Sequence, residues 1–440
     1  MAFIMIKLEE NMRKISLIII VVFVLITSSI LPMASLSIKG INSEIFLPPP
    51  LSVNMTYRDA ISSRCSVRRF KQLETVGDEE LSTILWAAYG YRDDGSRTVP
   101  GIDDLYSTVI YVFRKEGTYT YNPLNHSLVL FSEEDLRSTV NWQHRAPIQL
   151  GLVWDKNINS DENYSSVEIG EIGQNIYFMA SALGLGTVTA GLTGFDEIDL
   201  PDNELGRIVM PLGYPSKTPV FEYKPKLLSL LPRLQDSTVN LKTVIEERRE
   251  ENSFNGKIIR QELSQLLWAS YGFSYLIDKT ESSTNEVQRH RTVPSAGCVY
   301  PLLMYAVTNF GIFRYIPHIL HLNPYSDNPY YSTNWEFPVI SFLLPIRLGD
   351  YRDEIAQASL QPDIASAPLI IISILPSPSL YPVQWYWYYE AGASAYNVML
   401  EATILDLHAG MVKPDDFSSV KSILRLKEDS LPLIFIPVGK

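Results

Sequence analysis

Disulfide chemistry has little to work with in this sequence. Two cysteines, Cys65 and Cys298, stand among 440 residues. That is too few for a disulfide framework, and free structural thiols are the expected state. Long basic runs are missing too. The net charge is −12, which argues against a nucleic-acid partner. No His-Glu-x-x-His pair, Walker loop, Gly-x-Ser-x-Gly elbow or dinucleotide Gly-x-Gly-x-x-Gly fingerprint occurs. Gly184-Leu-Gly186 reads as a helix terminator. His318 and His321 lack an acid at metal-ligand spacing, so no metal site is expected.

The chain has an ordinary apolar content, 46%, with 11% aromatics. This excludes disorder and leaves room for two domains. Ile15 to Ala34 carries no charge; Lys7, Arg13 and Lys14 precede it and Lys39 follows. Its length suits a bilayer, and the charge bias places the rest of the chain on the extracytoplasmic side. Residues 1–36 are therefore expected to be a membrane anchor or a signal peptide cut near Ala34 or Ser37. Residues 37–55, with Leu47-Pro-Pro-Pro50, read as a linker.

The remainder repeats itself. Leu81-Ser-Thr-Ile-Leu-Trp-Ala-Ala-Tyr-Gly90 matches Leu263-Ser-Gln-Leu-Leu-Trp-Ala-Ser-Tyr-Gly272. Arg97-Thr-Val-Pro100 matches Arg291-Thr-Val-Pro294, and Ala146-Pro147 matches Ala367-Pro368. Glu168-Ile-Gly170 through Asn175 matches Glu390-Ala-Gly392 through Asn397. Two domains follow, 56–238 and 239–440. Copies of one unit tend to pack as an internal two-fold pair. The pattern predicts helices over 57–63, over 78–90 with Asp78 as cap, and over 169–185 ended by Gly186. It predicts strands over 108–113 and 148–154, and a hairpin over 117–130. A mixed helix and strand is expected over 205–212, and a loop over 274–290.

Arg64, Ser66 and Arg68 alternate, so on extended backbone they share one side. Two guanidinium groups and a hydroxyl suit a phosphate. Later, Arg291-Thr-Val-Pro-Ser-Ala-Gly-Cys-Val-Tyr-Pro301 keeps small residues after its proline, where backbone can approach a flat ligand. These motifs, the Glu-x-Gly…Gln-Asn helix ending in Gly-Leu-Gly-Thr and the closing Gly213-Tyr-Pro215 together resemble the nitroreductase family of FMN flavoproteins. The Leu-Leu-Trp-Ala-x-Tyr-Gly helix is closer still to its SagB-type dehydrogenase branch. The resemblance implies an α+β fold of two tandem domains, each a mainly antiparallel sheet with packed helices. It also implies FMN held where two subunits meet. Carried over, phosphate contacts fall on Arg64, Ser66 and Arg68, and on Lys224 after the Gly-Tyr-Pro. Ring contacts fall on Pro294, Ser295, Ala296 and Gly297. A backbone N–H near the reactive nitrogen falls on Gly191, with Gly194 as the alternative, and Arg291 is a further source of positive charge.

The departures from the family pattern are complementary. Aligned on Phe70 and Phe254, Glu250 stands where Ser66 is and Asn252 where Arg68 is; a carboxylate there repels a phosphate. The early copy of the ring loop reads Pro100-Gly-Ile-Asp103. One composite site keeps both halves and the other has lost both, so one FMN per chain is expected. The chain is then a monomeric internal pseudo-dimer acting on a small molecule or peptide, with NAD(P)H a candidate donor. No acid or base can be named. An azoline dehydrogenase of peptide modification is the alternative. Its Lys-Tyr pair is absent from both Trp385-Tyr-Trp-Tyr-Tyr389 and Asn163-Tyr-Ser-Ser166. A flavin-free binding protein derived from the enzyme is the other alternative.

Overall fold

The computed structural model describes residues 44–223, 230–251, 253–278, 288–318 and 341–440. The expected anchor or signal at 1–36 lies outside them, as do Lys224, Asn252 and His321. From Glu44 to Lys440 the chain forms one unit. No helix among the described residues is long and apolar enough to cross a membrane.

The first half contains β1 (Glu44–Phe46), α1 (Tyr57–Ser63), α2 (Asp78–Tyr89), β2 (Thr108–Arg114), β3 (Gly117–Asn122), β4 (Ser127–Ser132), α3 (Arg137–Val140), β5 (Ile148–Asp155), α4 (Glu162–Ala182), β6 (Glu204–Leu212) and β7 (Phe221–Tyr223). The second contains α5 (Leu241–Glu247), α6 (Arg260–Tyr271), β8 (Phe273–Asp278), β9 (Gln288–Arg291), β10 (Leu303–Thr308), β11 (Gly311–Ile316), β12 (Phe342–Leu348), α7 (Arg352–Gln357), β13 (Leu369–Leu375), α8 (Gln384–Ile404), β14 (His408–Ala409), α9 (Phe417–Leu424) and β15 (Leu431–Gly439). Two six-stranded sheets run β1-β4-β3-β2-β5-β6 and β12-β11-β10-β13-β15-β14. Apart from one added edge strand each, their order is the same. The ladders between the strands named here are antiparallel, and β7-β8-β9 makes a third, small sheet.

Several sequence expectations change. The linker is not free from Glu44 onward: β1 pairs with β4, and Leu47 and Val53 are buried. Asp78 is the first helical residue rather than the cap. Gly77 precedes it, and the Glu80 carboxylate accepts the Gly77 N–H at 2.8 Å. Helix α4 starts at Glu162, because the Asp161 side chain accepts from Asn163 N and Tyr164 N. It stops at Ala182, with Gly184 at φ +72°. Residues 204–212 are strand only, and both ends of the expected loop 274–290 are strands.

Helices α4 and α8 cross at the centre and are buried nearly all round. The contact is reciprocal. A Cβ on Gly170 would overlap the Tyr389 carbonyl, and one on Gly392 would overlap the Val167 carbonyl. The same exchange recurs at the edge of the halves. Tyr57 N donates to Val239 O at 3.1 Å and Leu241 N to Met55 O at 2.9 Å. Arg58 lies 5.0 Å over the Trp268 ring, and Lys242 lies 5.1 Å over the Trp86 ring. Residue i meeting j while the counterpart of j meets the counterpart of i is the signature of a two-fold relation.

Candidate functional site

Beyond α1 the backbone runs extended. Val67 N donates to Thr187 O at 2.8 Å and Lys71 N to Tyr214 O at 2.9 Å. Side chains therefore alternate. Arg64 sits 5.0 Å over the Tyr177 ring, and the Ser66 hydroxyl is 3.3 Å from the Tyr177 hydroxyl. Cys65 and Val67 point the other way, into a cavity of about 310 Å³ also lined by Gly184, Gly186, Thr187 and Phe221. Arg68 is exposed. Cys65 and Cys298 are not joined; the first is buried and the second exposed.

In the second half β9 delivers Arg291 into an aromatic cage. Its guanidinium carbon lies 5.0, 4.1 and 4.3 Å from the rings of Tyr271, Phe273 and Tyr300. Burial pushes the Arg291 pKa down. Its charge is thus sheathed by rings. Pro294 is buried, Ser295 and Ala296 are half-buried, and Gly297 is exposed. Gly297, Cys298 and Tyr300 hold φ of 59°, 58° and 50°. The left-handed turn is natural for the glycine and strained for the other two. Ser295 Oγ accepts the Tyr300 N–H at 2.9 Å, which pins the turn.

The two motifs meet. Arg64 Nε donates to the Arg291 carbonyl at 3.1 Å, across 227 residues of sequence. Arg64 is 3% exposed, yet its Nη1 has no hydrogen-bond partner among the described residues. A buried guanidinium nitrogen left open can take an acceptor; Arg58 Nε and Nη1 and Arg248 Nε are open in the same sense among the described residues. Gly191 is exposed, and a Cβ there would lie 3.2 Å from the Tyr386 hydroxyl. Gly194 is buried against Thr139, so of the two glycines only Gly191 presents open backbone. Lys224 lies outside the described residues.

Sequence reasoning missed the tie between the halves here. Tyr177 OH accepts from Thr189 N at 2.9 Å, and the Thr189 hydroxyl is 2.9 Å from the hydroxyl of Tyr389 on α8. The aromatic run at the start of α8 divides: Trp387, Tyr388 and Tyr389 are core, while Trp385 and Tyr386 stay half-buried. Among the described residues no three His, Cys, Asp or Glu side chains gather as a metal set.

The opposite pairing has the same skeleton with different contents. Arg248 Nη2 donates to the Arg97 carbonyl at 3.2 Å, and Arg97 is caged by Tyr89, Tyr91 and Tyr106 at 4.5, 4.4 and 5.1 Å. Here the next guanidinium nitrogen is taken: Arg248 Nη1 binds Glu250 Oε1 at 2.6 Å. Arg92 donates to the Arg248 carbonyl. The loop that parallels 294–297 is held down, Gly101 N by Glu171 at 3.1 Å and Asp103 by Lys413 at 2.5 Å.

Comparison with known proteins agrees with this architecture. The family model described as "Nitroreductase family" matches residues 61–206. A nitroreductase-named protein of Methanocaldococcus jannaschii is 33% identical over 196 residues, 40% of this chain and 98% of that one. The chain therefore belongs to the nitroreductase family, a family of oxidoreductases that generally bind flavin. A solved nitroreductase-named structure from Anabaena variabilis superposes with a TM-score of 0.61 at 15% identity, covering 84% of this chain and 90% of that one. It shows a shared fold. Another, from Ralstonia eutropha, is 27% identical with a TM-score of 0.38 over 40% of this chain and 92% of its own.

Proposed function

We infer that this chain is an FMN-dependent oxidoreductase whose halves, 56–238 and 239–440, are fused nitroreductase-like domains sharing one flavin site. The observation that carries the reading is the contact of Arg64 with Arg291 O, with a buried Arg64 nitrogen left open beside it. The residues present fit the cofactor. Arg64, Ser66 and Arg68 supply donors for a phosphate, and the open turn at Pro294 to Gly297 lets backbone lie flat against a ring. Lys224 is a further candidate for the phosphate.

FMN, when bound, supplies two-electron chemistry between a donor and an acceptor. The protein's part is to orient and tune. The Gly191 N–H offers a donor at the ring edge, and Tyr386 beside it narrows the approach. Arg64 and Arg68 place positive charge around the phosphate. On the other side Glu250 holds the arginine nitrogen that would serve a second phosphate, which supports a reading of one FMN per chain. The chain works as a monomer with a built-in two-fold.

The Leu-Leu-Trp-Ala-x-Tyr-Gly helices favour the SagB-type branch. The missing lysine before α8 weighs against azoline oxidation. With residues 1–36 as anchor or signal, the catalytic part faces away from the cytoplasm, out of reach of cytoplasmic NAD(P)H, so a donor on that side takes its place.

A visible spectrum with flavin stoichiometry tests this. One FMN per chain is expected, lost on Arg64→Ala combined with Arg68→Ala. Colourless protein that takes up no added FMN, or two equivalents per chain, would overturn the reading.

A further inference from the structure

The repeated Glu-x-Gly motif places one buried carboxylate in each half, and the two are equipped differently. Glu168 accepts from Tyr89 OH at 2.5 Å on Oε1. On Oε2 it accepts from Ser107 N at 3.0 Å, Ser107 Oγ at 3.1 Å and Thr108 Oγ1 at 2.9 Å. Oε1 thus has one donor and Oε2 three. Glu390, fully buried, accepts from Tyr271 OH on Oε1, but its Oε2 has no partner among the described residues. The sequence explains the gap. Pro301 stands where Ser107 is and Leu302 where Thr108 is. Proline has no N–H and leucine no hydroxyl, so three donors vanish together. What faces Glu390 instead is the loop beside the candidate flavin seat. The Ser295 hydroxyl faces the carboxylate and favours its ionised form, while its oxygen accepts the Tyr300 N–H at 2.9 Å.

We propose that Glu390 is a titrating positioning residue, whose proton at Oε2 decides how firmly the Ser295–Tyr300 loop is seated against the cofactor; in that respect it rests on the FMN reading above. Protonated, Oε2–H donates to Ser295 Oγ and the loop closes over a neutral carboxylic acid. Ionised, the carboxylate has the Ser295 and Tyr271 hydroxyls alone to set against its burial, where Glu168 has four donors, and it is relieved by water entering under the loop. The charged and titratable groups around it are few. Tyr271 comes from α6, Arg291 from the end of β9, Ser295 and Tyr300 from the loop, and Tyr389 from its own helix. Burial pushes the Glu390 pKa up to about 7, with Ser295, Tyr271 and Arg291 pulling against it. The seated loop thus binds the proton more tightly than an opened, hydrated one, and the loop loosens as pH rises through neutrality. The strained Cys298 and Tyr300 are the places where it gives way.

Deuterium exchange on the flavin-free full chain, read on peptides covering 295–300 and corrected for intrinsic pH dependence, tests this. Wild type is expected to show several-fold faster corrected exchange at pH 8 than at pH 6, with a midpoint near 7. Glu390→Gln should exchange slowly at both. The double variant Pro301→Ser, Leu302→Thr restores the donors that Glu168 enjoys; it should abolish the step even if Glu390→Gln does not fold. A merely structural glutamate would leave the pH profile flat in wild type. A flat wild-type profile, or a step that persists in the folded variants, would overturn the proposal. Titration of the same samples with FMN separates the two ideas. Uptake at no pH would sink the cofactor reading and leave the exchange result legible.

Discussion

Arg64 and Arg248 occupy equivalent places and reach equivalent carbonyls, those of Arg291 and Arg97. Their surroundings decide what each can do. Arg64 keeps a nitrogen open beside Ser66 and a half-exposed glycine-containing loop. Arg248 has its Nη1 closed by Glu250, with only Nε left without a partner among the described residues, and its partner loop is tied by Glu171 and Lys413. Fold symmetry and site symmetry are therefore separable. The aromatic cages, the crossing carbonyl contacts and the paired helices stay two-fold, because the whole interface depends on them. The groups beside the two arginines differ without disturbing it. A carboxylate placed on the spare arginine also removes what would otherwise be an unpaired buried charge.

The largest effect should come where symmetry is retained. Gly170→Ala and Gly392→Ala each drive a methyl into a backbone carbonyl of the facing helix. Each is expected to destabilise by about 3 kcal/mol or more, enough to cut the yield of folded chain. Thermal melting of the two single variants checks this. Nearly equal losses are the mark of a true two-fold crossing, whereas a large loss at one glycine alone would break the symmetry argument. Next in size is the arginine pair. Arg64→Ala should weaken FMN binding about 100-fold, the loss of charge-assisted bonds to a phosphate. Arg248→Ala should leave FMN affinity within about twofold and instead lower stability by about 1–3 kcal/mol, since the Arg97 carbonyl and Glu250 lose their partner. Flavin titration and melting on the same two proteins separate these outcomes.

The sequence carried the repeat, most element positions and the meeting of Arg64 with the Arg291 stretch, because these are written in short, ordered motifs. It misplaced the start of α4, since the Asp161 cap lies well before Ile169, where the apolar stripe begins. It could not show that Arg291 is caged, because Tyr271, Phe273 and Tyr300 approach from three separate segments. Thr189 and Tyr389 were invisible for the same reason: their hydroxyl contact joins parts of the chain 200 residues apart. The substitution of Pro301 for Ser107 was readable all along. Its meaning appears only when the Glu168 and Glu390 carboxylates are seen at the same point of two equivalent helices.

Those two carboxylates give the most discriminating comparison, since the expected difference depends on pH. Glu168→Gln puts an amide where at least one oxygen received several donors, and should cost about 2 kcal/mol. Glu390→Gln should behave in the opposite sense above neutrality. A folded-state pKa of about 7 against the ordinary 4.5 means that the folded chain holds a proton the unfolded chain has released. Between these values wild-type stability falls as pH rises, and above 7 the full penalty, on the order of 3 kcal/mol, is in force. Glutamine does not ionise, so its melting temperature relative to wild type should climb from pH 5 to pH 8 and then level off. Glu168 also feels burial, but its four donors oppose it, and the pH dependence of its variant should be the shallower one. A Glu390→Gln melting temperature that tracks wild type in parallel from pH 5 to pH 8 would show that this carboxylate is already ionised and satisfied, and that the missing donors at Pro301 and Leu302 are replaced from elsewhere.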